Sequence, residues 1–200
     1  LIIFTSDNGG HASVAKRFKT SGPLRGFKRD LTEGGIRVPF IARWPGMIPK
    51  NATSDQVIAF QDMMPTLAEL ADVPAPQNID GVSIIDALAG GQLDDSRKYL
   101  YWDYGHCRRR YDQAVRWMNW KGIRLGRDSE IQLYDLAADI GETNKVAAHH
   151  PDLVQRIARI MKAAPTHSDR YPIGTIYRGR PPLDSPNSRS EGKRHKPRAK

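Results

Sequence analysis

The sequence predicts an α/β fold class, and three observations carry that reading. An apolar run, Leu1 to Phe4, passes directly into Thr5-Ser6-Asp7-Asn8-Gly9-Gly10, the look of a buried strand that ends in a site. A second apolar run, Val38 to Ala42, is stopped by Trp44-Pro45-Gly46. Residues 98–136 then carry strand-like pieces, followed by an amphipathic stretch from Pro151 to Ala164. The expected architecture is part of a mixed or parallel sheet, then a small antiparallel sheet with one packed helix.

Element by element, the first strand spans 1–5 and is followed by a long loop through a basic segment. The second strand spans 37–43. A helix begins near Asp62, where the carboxylate suits an N-cap and Pro65 is tolerated in the first turn. Met63, Met64, Leu67, Leu70 and Ala71 fall on one face of that helix. Residues 73–97 read as a connector, rich in Pro and Gly, with one short helix at Ile84–Leu88. The next strands are expected at Tyr99–Tyr104, Ala114–Trp117, Trp120–Leu125 and Ile131–Leu136, the last three close enough in sequence to pair antiparallel. Asp139–Glu142 reads as a turn. The final helix buries Leu153, Val154, Ile157, Ile160 and Met161.

The composition is 39% hydrophobic and 26% charged, as in a water-soluble globular protein. No apolar run approaches the roughly 18 residues that span a membrane. The chain opens on a strand without Met or a basic leader, so residue 1 reads as a cut point. The lone Cys107 has no partner for an intrachain disulfide. Of the net charge of +9, residues 166–200 hold +6, from nine Lys/Arg and three Asp/Glu. That tail is expected to be disordered and to meet polyanions, nucleic acid included, only non-specifically.

Asp7 and Asn8 offer a carboxylate and a carbonyl oxygen, hard donors of the kind Ca²⁺ or Mg²⁺ takes. Asp-Asn-Gly is also ordinary turn chemistry. Downstream, Gly22-Pro23-Leu24-Arg25-Gly26-Phe27-Lys28 is a turn-rich basic loop, and Glu33-Gly34-Gly35-Ile36-Arg37-Val38-Pro39 leads into the second strand. The adjacent glycines suggest tight backbone geometry, and Arg37 is expected to pair with a carboxylate. His106, Arg108–Arg110 and Tyr111 are open to two readings, contact with an anionic substrate or a solvated strand edge. His149-His150 reads as surface. Asn51-Ala52-Thr53 fits the glycosylation acceptor pattern, which is frequent by chance.

Thr-Ser-Asp-Asn-Gly-Gly-His (5–11), Gly-Pro-Leu-Arg-Gly (22–26), Glu-Gly-Gly-Ile-Arg-Val-Pro (33–39) and Arg-Trp-Pro-Gly (43–46) stand in order over the first 46 residues. Together they resemble the carboxyl-terminal portion of a type I sulfatase of the alkaline-phosphatase-like superfamily. Trp-Lys-Gly-Ile-Arg (120–124) and Leu-Tyr-Asp-Leu (133–136) resemble its carboxyl-terminal subdomain. The resemblance implies residues 1–72 as the end of the catalytic domain, 73–97 as connector, 98–165 as subdomain and 166–200 as tail.

It further implies hydrolysis of a sulfate ester, on a sulfated carbohydrate or an aryl sulfate. Asp7 and Asn8 become ligands of one divalent cation, usually Ca²⁺. Lys28 becomes the cation that contacts the substrate sulfate, and His11 a substrate contact. The family's nucleophile is a formylglycine made from a Cys or Ser with Pro two and Arg four positions later. Cys107 is followed by Arg108, Arg109, Arg110 and Tyr111, so the motif is missing here, as are the remaining acidic metal ligands. The chain is therefore expected to carry about half of an active site, to need the amino-terminal half as its partner, and to be inactive alone. The family suggests a periplasmic, secreted or lysosomal location. Alternatives are a phosphodiesterase or phosphonate hydrolase of the same superfamily, or a non-catalytic fragment that binds polyanions.

Overall fold

The computed structural model describes residues 1–93, 97–105, 110–168 and 172–174. Cys107, His106, Arg108, Arg109 and nearly all of the basic tail lie outside them.

The first sheet is a two-stranded ribbon. Strand β1 (Ile2–Thr5) pairs antiparallel with β2 (Phe40–Arg43), with Ile2 opposite Arg43 and Thr5 opposite Phe40. The first strand falls where its apolar run places it and the second begins three residues later than the expected 37–43, at Phe40, because Arg37 still ends α2; neither is buried as expected. Ile2 and Phe4 are each 64% exposed and Ile41 is 60% exposed. An uninterrupted apolar run marks a strand with two apolar faces. It does not say that both faces are covered, and here one row of side chains is open.

Between these strands lie two short helices that the periodicity did not announce. Helix α1 (Ala12–Phe18) starts at His11, whose ring accepts from the Ser13 amide. Helix α2 (Glu33–Ile36) is a single turn that buries Glu33, Gly34 and Gly35.

Helix α3 (Met63–Leu70) begins where expected but faces the other way. Met64 and Leu67 are more than half exposed, whereas Pro65, Thr66 and Ala68 are buried. The helix is fixed through polar groups instead. Thr66 Oγ1 donates to the Asp62 carbonyl at 2.6 Å and accepts from the Ile84 amide at 3.0 Å. Asp62 does not cap α3 with its side chain. Its carboxylate accepts from the Ala59 and Val82 amides and pairs with Arg97 at 2.6 Å. Helix α4 (Ile85–Leu88) closes this region.

The second sheet is an antiparallel meander of β3 (Leu100–Tyr104), β4 (Asp112–Trp117), β5 (Trp120–Leu125) and β6 (Ile131–Asp135), paired in that order. Strand alternation divides its side chains between two cores. On one face Val115, Ile131 and Leu133 pack with Ile157 and Met161 of helix α5 (Pro151–Ala163). Gly122 makes room for that helix, since a Cβ there would lie 2.5 Å from Ile157 Cγ2. On the other face Ala114, Ile123 and Tyr134 pack with Leu31, and Ile36 of α2 joins them. The meander is thus covered by its own helix on one side and by the segment after the basic loop on the other. Among the described residues no helix is long and apolar enough to cross a membrane.

Candidate active site

The strand end of β1 opens into a loop that rests directly on α2. The Gly9 amide donates to the Gly35 carbonyl at 2.9 Å. A Cβ on Gly9 would sit 2.0 Å from the Gly34 carbonyl oxygen, so this contact admits no side chain. The basic loop joins the same assembly. The Lys28 amide donates to the Gly10 carbonyl at 2.9 Å, and the Gly34 amide donates to the Arg25 carbonyl at 2.7 Å. Backbone bonds therefore tie together the three segments that carry Asp7-Asn8, Lys28 and Glu33. This is the tight geometry that the paired glycines imply.

Asp7 is exposed and Asn8 half-buried. Both line a cleft of about 1200 Å³, together with Arg37, Trp102 and Arg116. Ser6 Oγ donates to the Asn8 carbonyl at 3.0 Å, which fixes the backbone of the turn. The Asp7 carboxylate and the Asn8 side-chain carbonyl are oxygen donors that suit Ca²⁺ or Mg²⁺. Among the described residues no three His, Cys, Asp or Glu side chains gather around a common point. The fit is that of two donors in a shell that takes six to eight for calcium.

Lys28 and His11 do not line this cleft. Lys28 is half-buried and enters the assembly through its backbone. His11 is exposed, with Nδ1 3.0 Å from Ser13 Oγ, at the start of α1. Tyr111 is a correction to the solvated-edge reading. It is buried, and its hydroxyl donates to Asp103 at 2.8 Å. Burial pushes its pKa far above the ordinary value of 10.0. Arg110 is exposed and pairs with Asp112 at 2.7 Å. His150 is likewise no plain surface residue, since its ring lies 4.9 Å from that of Trp120.

Behind the loops lies a buried charge cluster. Glu33 Oε1 accepts from Lys121 Nζ at 2.6 Å, and Glu33 Oε2 is 3.6 Å from Arg116 and 3.9 Å from Arg37. The pairing of Arg37 with a carboxylate is thus present. Glu142, read from sequence only as part of a turn, is fully buried with φ of 52°. Its Oε2 accepts from the Glu33 amide at 2.9 Å, and its Oε1 lies 3.8 Å from Lys121 Nζ. Burial pushes the Lys121 ammonium pKa down, opposed by Glu33 and Glu142, and pushes the Glu142 carboxyl pKa up, opposed by Lys121. Lys121 sits inside the Trp-Lys-Gly-Ile-Arg phrase. The one signal available in the sequence was its place on the Ile123 side of a strand otherwise rich in core residues.

Residues 26–165 match the family described as N-sulphoglucosamine sulphohydrolase, C-terminal. The chain belongs to the sulfatases. It is 31% identical over 192 residues to an N-acetylgalactosamine-6-O-sulfatase of Bacteroides thetaiotaomicron, covering 83% of this chain and 36% of that protein. Its fold resembles the crystal structure of Ps i-CgsB in complex with k-i-k-neocarrahexaose, with a TM-score of 0.68 and 28% identity over 80% of this chain and 35% of that one. It also resembles BT4656 in complex with its substrate D-glucosamine-2-N,6-O-disulfate, with a TM-score of 0.66 and 25% identity over 82% and 33% of the two chains. This sulfatase chain thus spans about a third of the length of these relatives.

Proposed function

We propose that the chain supplies the carboxyl-terminal share of a site that hydrolyses sulfate esters of a carbohydrate. The observation that carries this reading is the backbone assembly of the Asp7-Asn8 loop with the Lys28 loop, in a chain of the sulfatase family. In this reading Asp7 and Asn8 hold one divalent cation, Ca²⁺ or Mg²⁺, which supplies Lewis-acid stabilisation of the sulfate oxygens when bound. Lys28 places a compact positive charge against the sulfate as negative charge builds on it. His11 orients the sugar or its leaving oxygen from the edge of the loop. The nucleophile, a formylglycine, and the remaining metal ligands come from an amino-terminal half. The carbohydrate preference is supported by the named substrates of the relatives, two of which are sulfated amino sugars.

The test is a polypeptide that joins this chain to an amino-terminal sulfatase half bearing the Cys/Ser-x-Pro-x-Arg motif. Sulfate release from 6-O-sulfated N-acetylgalactosamine is expected, and it should disappear with Asp7→Ala. Preferred turnover of a phosphonate monoester would overturn the reading in favour of phosphoryl chemistry.

A further inference from the structure

Helix α2 is the piece on which both functional loops rest, yet nothing in its own sequence makes it stable. It has four residues, and two of them are glycines. A single turn fixes several dihedrals for one or two hydrogen bonds and is unfavourable alone. Contacts from elsewhere must therefore hold it, and beside the backbone bonds from the loops and the packing of Ile36, two side chains of the carboxyl-terminal region do so. Glu142 accepts from the first amide of α2, that of Glu33, at 2.9 Å. Lys121, projecting from β5, donates to the side chain of the same residue at 2.6 Å.

The chemistry of this contact goes beyond packing. An apolar residue of similar volume fills a buried position at no electrostatic cost, whereas a buried ammonium requires partners in exact places. Lys121 has them in Glu33 and Glu142, and its aliphatic stem ends with Nζ 5.5 Å from the Trp102 ring centroid. The consequence passes on through the backbone. Gly35 accepts from Gly9, Gly34 donates to Arg25, and a Cβ on Gly9 would meet the Gly34 carbonyl oxygen at 2.0 Å, so the Asp7-Asn8 loop lies backbone against backbone on α2.

We propose that Lys121 and Glu142 are positioning residues of the sulfatase site, fixing α2 and through it the loops of Asp7-Asn8 and Lys28. The proposal rests on the reading of those loops as functional, but the contact chain itself is tested without metal or substrate. A failure of one is therefore distinguishable from a failure of the other.

The experiment is residue-resolved amide hydrogen exchange on the 200-residue chain. The variants are Lys121→Met, Glu142→Ala and the conservative Glu142→Gln, which keeps an acceptor for the Glu33 amide. Exchange of the Gly9, Lys28 and Gly34 amides is expected to rise about tenfold or more in the first two, as local opening becomes easier. The Val146 amide, bonded to the Leu133 carbonyl on the far side of the meander, should keep its protection, and Glu142→Gln should restore that of the three loop amides. Unchanged exchange at the three amides overturns the proposal. So does a rise shared equally by Val146, which would mean a purely structural role. Should Lys121→Met lose the fold, the contrast between Glu142→Ala and Glu142→Gln decides the matter alone.

Discussion

Lys121 Nζ lies 2.6 Å from Glu33 Oε1, across 88 residues of sequence, with both side chains buried. This pair joins the β5 strand of the meander to the helix beneath the β1 loop. Burial pushes the Lys121 pKa down and the Glu142 pKa up, so desolvation outweighs the Coulomb gain in this buried cluster, and the pairing serves to hold charges that cannot be left alone. Here the ammonium faces two carboxylates, and one of those also accepts a backbone amide.

Lys121→Ala is therefore expected to be among the most damaging substitutions in the chain. It leaves Glu33 and Glu142 buried without their shared cation, at a cost of about 3–5 kcal/mol. Urea unfolding checks this. The double variant Lys121→Met/Glu142→Gln should recover part of the loss, because it removes the carboxylate charge of Glu142 while Glu33 keeps Arg116 and Arg37. A wild-type denaturation midpoint for Lys121→Ala would show that the pair contributes nothing.

The same cluster sets a pH dependence. Burial holds the Glu142 carboxyl pKa above its ordinary value of 4.5, so the folded state binds that proton more tightly than the unfolded state. Its contribution to stability is fully present below the ordinary value and is lost as pH rises through the raised one. Lys121 has the opposite shift, so its contribution is present above its ordinary value of 10.5 and lost as pH falls through the depressed one. Glu142→Gln removes the first dependence. Unfolding free energies measured from acid to neutral pH should show wild type losing ground to Glu142→Gln as pH rises. A constant difference across that range would contradict the shift.

How much of this was legible in the sequence depends on where the partners lie. Strand β5 was read to the residue, and β3, β4 and β6 to within a residue or two, because apolar periodicity and short loops are local signals. Helices α1 and α2 were missed because seven residues, or four with two glycines, carry too little periodicity. The face of α3 was misread for a different reason. Periodicity finds the apolar side of a helix, but Thr66 and Asp62 anchor the other side to residues near 82–84 and to Arg97. The loops of Asp7-Asn8 and Lys28 were legible as phrases, and backbone bonds bring them together. Glu142 was not, since its partner amide is 109 residues away.

Tyr111 provides a spectroscopic check on the meander. Its hydroxyl donates to Asp103, and burial raises its pKa well beyond 10.0. A raised value means that this group's contribution to stability is present below the ordinary tyrosine range and is lost as pH rises through the folded value. In an ultraviolet titration Tyr111→Phe should leave the phase near pH 10 unchanged and remove only a late component. Loss of one equivalent from the normal phase would place Tyr111 in solvent.

Gly122 tests the seat of α5. A methyl group there meets Ile157 Cγ2 at 2.5 Å and Cδ1 at 3.0 Å, inside a closed core. Gly122→Ala should cost about 1–3 kcal/mol by overpacking. Adding Ile157→Ala should remove the clash, so the two losses should sum to less than their separate values. Strict additivity in chemical denaturation would mean that the helix moves aside freely.

Lys28→Ala separates catalysis from folding. The bond from this residue to Gly10 is made by its backbone amide, so removing the side chain leaves the loop contact in place. What disappears is a half-buried cation in the loop stitched to the Asp7-Asn8 turn. If that cation meets the sulfate, its effect is greatest while the sulfur–oxygen bond breaks. In the polypeptide joined to an amino-terminal half, kcat should then fall by roughly 10²–10³, the range for loss of one oxyanion donor, with little change in the melting midpoint. Lys28→Arg should restore only part of the rate, since a planar fork does not replace a compact point charge. Wild-type kcat in Lys28→Ala, or activity lost only in step with folding, would make Lys28 a surface charge and move the sulfate contact to another cation of the basic loop.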